Sequence, residues 1–108
     1  MNLTEIAGSA TGKEGVVWTL EGSTDLNANL VRFEAGGGVG EHVNEEVDVL
    51  IVGVSGAGLV GVDGEEHPVA NGSMIFVRRG ARRYTRAVSD VFVYLSTHRR
   101  RGPLQIGG

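Results

Sequence analysis

GGGVGEHVNEEVDVLIVGVSGAG, running from Gly36 to Gly58, decides how the rest of the chain reads. A glycine-rich approach leads into His42, Asn44, Glu46 and Asp48 at every second position, and an almost unbroken apolar run then ends at Gly56 and Gly58. Residues two apart on a strand point to one face, so a strand through this stretch predicts a single polar surface. Turned inward, such a row is a site; turned outward, it is a solvated edge. From Val47 to Val54 the apolar residues occupy both strand faces, with Val47, Val49 and Ile51 on one and Leu50, Val52 and Val54 on the other. A strand of that kind needs cover twice, from a second sheet of its own domain and from something outside it, most simply a second copy of the chain.

Working outward, the same grammar of short strands between turn residues repeats in both directions. Gly15 to Leu20 and Leu30 to Phe33 precede the central stretch; Val60–Val62, Glu65–Val69, Met74–Val77, Arg82–Ala87 and Val91–Thr97 follow it. Asp63-Gly64 suits a type I′ hairpin, and Asn71-Gly72 repeats the turn signal. Leu3 to Ala7 reads as a short opening strand, Ser23 to Asn29 as a polar link, and the tail after His98 has enough Leu and Ile to dock as a last strand. Apolar residues rarely recur at helical spacing. About nine or ten short strands predict an all-β, antiparallel sandwich or barrel of the jelly-roll kind.

Composition narrows the function classes. A chain of 108 residues is expected to form one domain, residues 1–108. Its 18 glycines, scattered without period, indicate tight turns, and the absence of cysteine excludes disulfides, thiolate metal sites and a cysteine nucleophile. No apolar segment is long enough to span a bilayer and the N-terminus lacks a signal pattern, so the expectation is a soluble cytoplasmic protein with no membrane partner. Residues 1–67 hold Lys13 and Arg32 against twelve carboxylates, a net −10, while residues 68–108 hold eight arginines against Asp90, a net +7. Halves so opposite attract each other, which explains the arginines without nucleic acid as a partner.

The spacing of the central residues resembles the cupin superfamily, over about residues 30–97. The first motif of that family is a glycine, five residues, His-x-His, three or four residues, Glu, six residues and Gly. Here Gly36 and the following spacer lead to His42; Asn44 stands at the second histidine, Asp48 at the glutamate, and Gly56 one residue beyond the closing glycine. In the second motif Gly72 and Gly80 match the glycines, Arg78 replaces a proline, and Arg83 stands where the last histidine belongs. The resemblance implies an antiparallel double-stranded β-helix, commonly a homodimer, with its site in the barrel mouth. Metal-binding relatives use three His and one Glu, of which this chain keeps one histidine.

The candidate ligand-binding residues are therefore His42, Asn44, Asp48 and Arg83. His42 and Asp48 could serve a divalent transition metal, Asn44 poorly, and Arg83 not at all, because a guanidinium keeps its protons and adds a positive charge. The expectation is a cavity without a metal cofactor, in which Arg83 takes the cation's place by pairing with Asp48; a metal, if bound, would use His42 and Asp48. Arg83 released from Asp48 would attract a carboxylate or phosphate, and a purely structural Asp48–Arg83 pair is the plainer alternative. His42 is the ready general base by its titration range, or a hydrogen-bonded structural residue. His98 would reach the mouth only if the tail folds back. Trp18, Tyr84, Phe92 and Tyr94 read as core or interface, and no nucleophile, base and acid arrangement is apparent. The leading function is a small-molecule-binding homodimer. The rivals are a metal-dependent enzyme of the oxygenase, isomerase or decarboxylase type, and a barrel acting only as an interaction module.

Overall fold

A computed structural model of the chain describes residues 1–100; the expected terminal strand in the tail lies beyond them. One short helix, α1 (Leu3–Gly8), precedes nine strands: β1 (Gly15–Thr19), β2 (Leu26–Glu34), β3 (Gly38–Val43), β4 (Val49–Ser55), β5 (Ala57–Val62), β6 (Glu65–Ala70), β7 (Met74–Val77), β8 (Arg82–Ala87) and β9 (Val91–Arg99). They form two antiparallel sheets, one ordered β1-β2-β9-β4-β7 and the other β3-β8-β5-β6. The all-β jelly-roll expectation holds. Asp63 and Gly64 both have positive φ, +51° and +85°, as the tight β5–β6 hairpin requires.

Alternation along the strands builds the space between the sheets. Val49 and Ile51 on β4, Val60 on β5, Val69 on β6, Val77 on β7, Ala87 on β8 and Phe92 and Tyr94 on β9 turn inward and form one buried cluster with Val31 and Phe33 of β2. Phe92 is wholly buried and leans over Gly58, where a Cβ would lie 2.3 Å from its ring. Glycine is therefore required at 58 by the close approach of an aromatic ring to the backbone.

Two stretches differ from the sequence expectation. Leu3 to Ala7 is helical, because the Asn2 side chain caps the turn, its Oδ1 accepting from the backbone N–H groups of Thr4 and Glu5 at 3.0 and 3.1 Å. Leu3, Ile6 and Ala7 then share one face and cover Leu30, Val93, Val54 and Trp18 on the outer side of the five-stranded sheet. Ser23 to Asn29 is not wholly a link: β2 begins at Leu26 and carries Asn27 and Asn29 within a paired strand. Strand propensity disfavours asparagine, and nine consecutive ladder pairs with β9 override it.

The double-faced reading of β4 is resolved in part. Val47, Val49 and Ile51 are buried inside, and α1 shields Val54 outside, but Leu50 remains 39% exposed beside Met74 at 63%, Phe76 at 59% and Leu26 at 52%. The outer side of the other sheet is charged instead, with Arg82 facing Glu41 at 3.8 Å and Arg86 facing Glu66 at 3.6 Å. Together with Arg78 and Asp63 at 3.8 Å, these pairs join the basic and acidic halves of the chain as the charge pattern anticipates. None of the helices among the described residues is long and apolar enough to cross a membrane.

Candidate functional site

A cavity of about 330 Å³ opens between the sheets and is lined by residues of β1, β2, β3, β4, β8 and β9. Its polarity follows from the β2–β9 register. Four inward pairs succeed one another: Asn27 with His98, Asn29 with Ser96, Val31 with Tyr94, and Phe33 with Phe92. The first two pairs are polar, the third mixed and the last apolar, so the cavity grades from a hydrogen-bonding end to a hydrophobic floor. Ile51, paired with Ser96 across β4 and β9, extends the floor.

The opposite wall comes from β3 and β8. A register shift between Val39 and His42 brings His42 directly across from Arg83. Arg83 Nε donates to His42 Nε2 at 3.1 Å. His42 Nδ1 lies 2.8 Å from the Gly40 carbonyl oxygen, which can only accept, so the ring takes the Nδ1–H tautomer and presents its Nε2 lone pair to the guanidinium. Both residues line the cavity.

Deeper in, Thr85 Oγ1 and Tyr94 Oη share a hydrogen bond at 3.0 Å, and Thr85 Oγ1 also accepts from the Val39 N–H at 3.3 Å. Burial raises the Tyr94 pKa above its ordinary 10.0, opposed by the bond to Thr85 and the charge of Arg83, so the phenol stays protonated at neutral pH. Tyr84, by contrast, lies on the outer side of the four-stranded sheet over Gly61, and its hydroxyl donates to Glu66, the chief reason its pKa is raised.

Two of the four residues chosen from the sequence share this cavity and two do not. His42 and Arg83 meet; Asn44 and Asp48 lie in the β3–β4 connection, outside the cavity lining. The even spacing from 42 to 48 does not act as strand alternation because β3 ends at Val43 and β4 starts only at Val49. Between them Asn44 forms a local turn, its Oδ1 accepting from the N–H groups of Glu46 at 2.9 Å and Val47 at 3.4 Å, while its carbonyl accepts from Gly80 N–H at 2.7 Å. The expected Asp48–Arg83 pair does not form. Asp48 Oδ1 accepts from the Arg79 N–H at 2.8 Å, and Asp48 borders an outer groove with Leu26, Leu50, Phe76 and Arg99.

The cavity-lining residues that sequence reasoning missed are Asn27, Asn29 and Ser96, and it placed His98 there only with a folded-back tail. His98 needs no folded-back tail, since it belongs to β9 itself. The alternation of Asn27 with Asn29 and of Tyr94, Ser96 and His98 was visible, but only the ladder between β2 and β9 shows that both rows face one space.

A metal centre does not suit these groups. A divalent transition ion requires several imidazole or carboxylate lone pairs converging on one point. Among the described residues no three His, Cys, Asp or Glu side chains come together in that way. Among the described residues, His42 and His98 line the cavity without a carboxylate, and the His42 Nε2 lone pair is engaged by Arg83, a permanent cation. The alternative metal pair, His42 with Asp48, is not brought together.

Two β-sheets stacked as a jelly roll around a side-chain-lined cavity define the class, a small ligand-sized barrel. The chain belongs to the cupin family, whose domain model matches residues 29–97. Among solved structures it is similar to the TT1209 protein from Thermus thermophilus, with a TM-score of 0.78 and 23% identity over 94% of this chain and 97% of that one. KdgF from a Halomonas species is similar with a TM-score of 0.73 and 21% identity, over 79% and 77%. A Thermotoga maritima protein described as a predicted oxalate decarboxylase gives 0.64 and 18%, over 68% and 64%. At such identities the likeness concerns the fold. A comparison with curated proteins finds no match.

Proposed function

We propose that this cupin binds a small anionic molecule inside its barrel, held directly by side chains with no metal between protein and ligand. The observation that carries the reading is the lining itself, in which Arg83 sets a permanently protonated guanidinium among amide, hydroxyl and imidazole groups. A half-buried guanidinium is a strong partner for carboxylate or phosphate because its N–H donors lie in one plane and its charge does not titrate away. A cavity of about 330 Å³ suits a compact ligand, near the lower end of the roughly 300–1,000 Å³ range of small-molecule pockets. The test is isothermal titration with acetate, butyrate, threonate and inorganic phosphate, alongside elemental analysis of protein purified without chelators. Saturable binding of at least one anion by metal-free protein is expected; a stoichiometric transition metal, or no anion binding at all, defeats the reading.

The expected homodimer is part of the same proposal. Leu26, Leu50, Met74 and Phe76 are exposed on the part of one sheet's outer face that α1 does not cover, while the other sheet's face is charged. The groove on the uncovered face has Asp48 and Arg99 on its border, so a two-fold copy can set each acid against the other copy's base. Light scattering is expected to give a mass near twice 11.4 kDa, and Phe76→Asp, which places a charge in that face, to return it to 11.4 kDa with the circular-dichroism spectrum unchanged. Wild-type protein that stays monomeric at every concentration tested would show that the face has another cover.

A further inference from the structure

The β2–β9 side of the cavity presents polar groups whose chemistry does not involve a fixed charge. Its four polar side chains come from two successive inward pairs of the ladder, Asn27 with His98 and Asn29 with Ser96. Asn29 Oδ1 accepts from Thr19 Oγ1 at 2.8 Å, which leaves the Asn29 amide N–H groups unspent. His98 Nδ1 lies 2.8 Å from the Arg99 carbonyl oxygen, an acceptor only, so this nitrogen carries the proton and Nε2 keeps its lone pair. Asn27 and Ser96 make no side-chain hydrogen bond among the described residues, although both are half-buried. Each pair therefore sets unspent donors beside unspent acceptors.

A group that only accepts or only donates is served badly by such a wall. A carboxylate would set its lone pairs against those of Asn27 Oδ1 and His98 Nε2, an ammonium would meet the amide N–H groups, and an alkyl chain would strand all of them. A hydroxyl donates and accepts at one atom. Cross-strand neighbours lie about 5 Å apart and successive inward residues of a strand about 7 Å apart, so the patch is larger than one hydroxyl can reach. Beside it, Val31 and Ile51 offer an apolar surface for the carbon skeleton of a ligand. We propose that this wall binds a small polyol segment, several hydroxyls on adjacent carbons, through Asn27, Asn29, Ser96 and His98. The assignment is made on uncharged contacts alone, so it adds to the anion reading and does not rest on it.

Three uncharged probes share a four-carbon skeleton and differ in hydroxyl number: butan-1-ol with one, butane-1,2-diol with two and threitol with four. In an apolar pocket each added hydroxyl weakens binding, because it leaves water without finding a partner. Here the order is expected to reverse. Protein-observed NMR titration should give an affinity that rises about 2- to 10-fold for each added hydroxyl that is paired, with the amide signals of residues 27–29 and 96–98 shifting. The Asn27→Ala/Ser96→Ala double variant removes both uncommitted side chains and is expected to abolish the rise while keeping a folded spectrum. If it does not fold, Ser96→Ala alone is expected to narrow the gap between threitol and butan-1-ol, and an unchanged gap counts against the wall. Affinity that falls from butan-1-ol to threitol, or no saturable shift with any of the three, overturns the assignment. So does a preference for threitol that persists in the folded double variant, because its hydroxyls are then read elsewhere. All three probes are uncharged, so their failure leaves the anion reading to be decided by its own titrations.

Discussion

Phe92→Ala is expected to cost about 3–5 kcal/mol, the range for truncating a fully buried aromatic side chain. Phe92 is 0% exposed, and its ring meets Tyr94 at a centroid separation of 5.2 Å and lies against the backbone of Gly58. Removal leaves a void between the sheets that no neighbour is placed to fill. Gly58 has no side chain, and Val60 and Ala87 are fixed in the β5 and β8 ladders. Against a total stability of roughly 5–15 kcal/mol, such a loss takes a large share of the fold's margin. Chemical denaturation at constant m-value is the measurement. A loss below about 1 kcal/mol would mean that the sheets close over the gap and that the packing around Gly58 is not what holds them apart.

Arg83→Gln carries the second large effect, on binding instead of folding. Gln keeps an N–H that can donate to His42 Nε2, so the β3–β8 wall retains a bond there while losing its fixed charge. Hydrogen bonds to charged groups contribute roughly 1.5–3 kcal/mol each, so affinity for a bound carboxylate is expected to fall by about 10- to 100-fold. The melting temperature is expected to change little, because Arg83 is only half-buried. Titration of wild-type and variant proteins with the tightest of the four anions decides the matter, and affinity unchanged within error would remove Arg83 from the site. His42→Ala serves as the companion variant: it deletes the acceptor that orients the guanidinium and is expected to weaken binding less than Arg83→Gln does.

Much of the fold could be read locally. Gly56, Asp63-Gly64 and Gly72 punctuate the chain where the hairpins form, and the period-two burial of Val49, Ile51, Phe92 and Tyr94 marks the inward faces without reference to any other strand. The helix at Leu3 was missed because its signal is a single cap, Asn2, followed by an apolar stripe too short to register as a period. Arg83 was located through its spacing, and strand alternation puts Arg82 and Arg86 on the face opposite to it. Arg82 and Arg86 do face outward to Glu41 and Glu66.

The central stretch from Gly36 to Gly58 shows where local reading stops. Its sequence by itself determined a glycine-rich entry, a buried apolar strand and a histidine aligned with the cupin motif, because each of these depends on residues a few positions apart. Which of its polar residues belong to the cavity was decided by the tertiary structure. The Asn44 turn resets the alternation between β3 and β4, sending Asp48 to the Arg79 backbone, and the shifted β3–β8 register delivers Arg83 to His42. The same holds for the wall that sequence reading passed over. Asn27 and His98 are 71 positions apart and become neighbours only through the β2–β9 ladder, an energetic outcome of burying both sheets that no local pattern encodes.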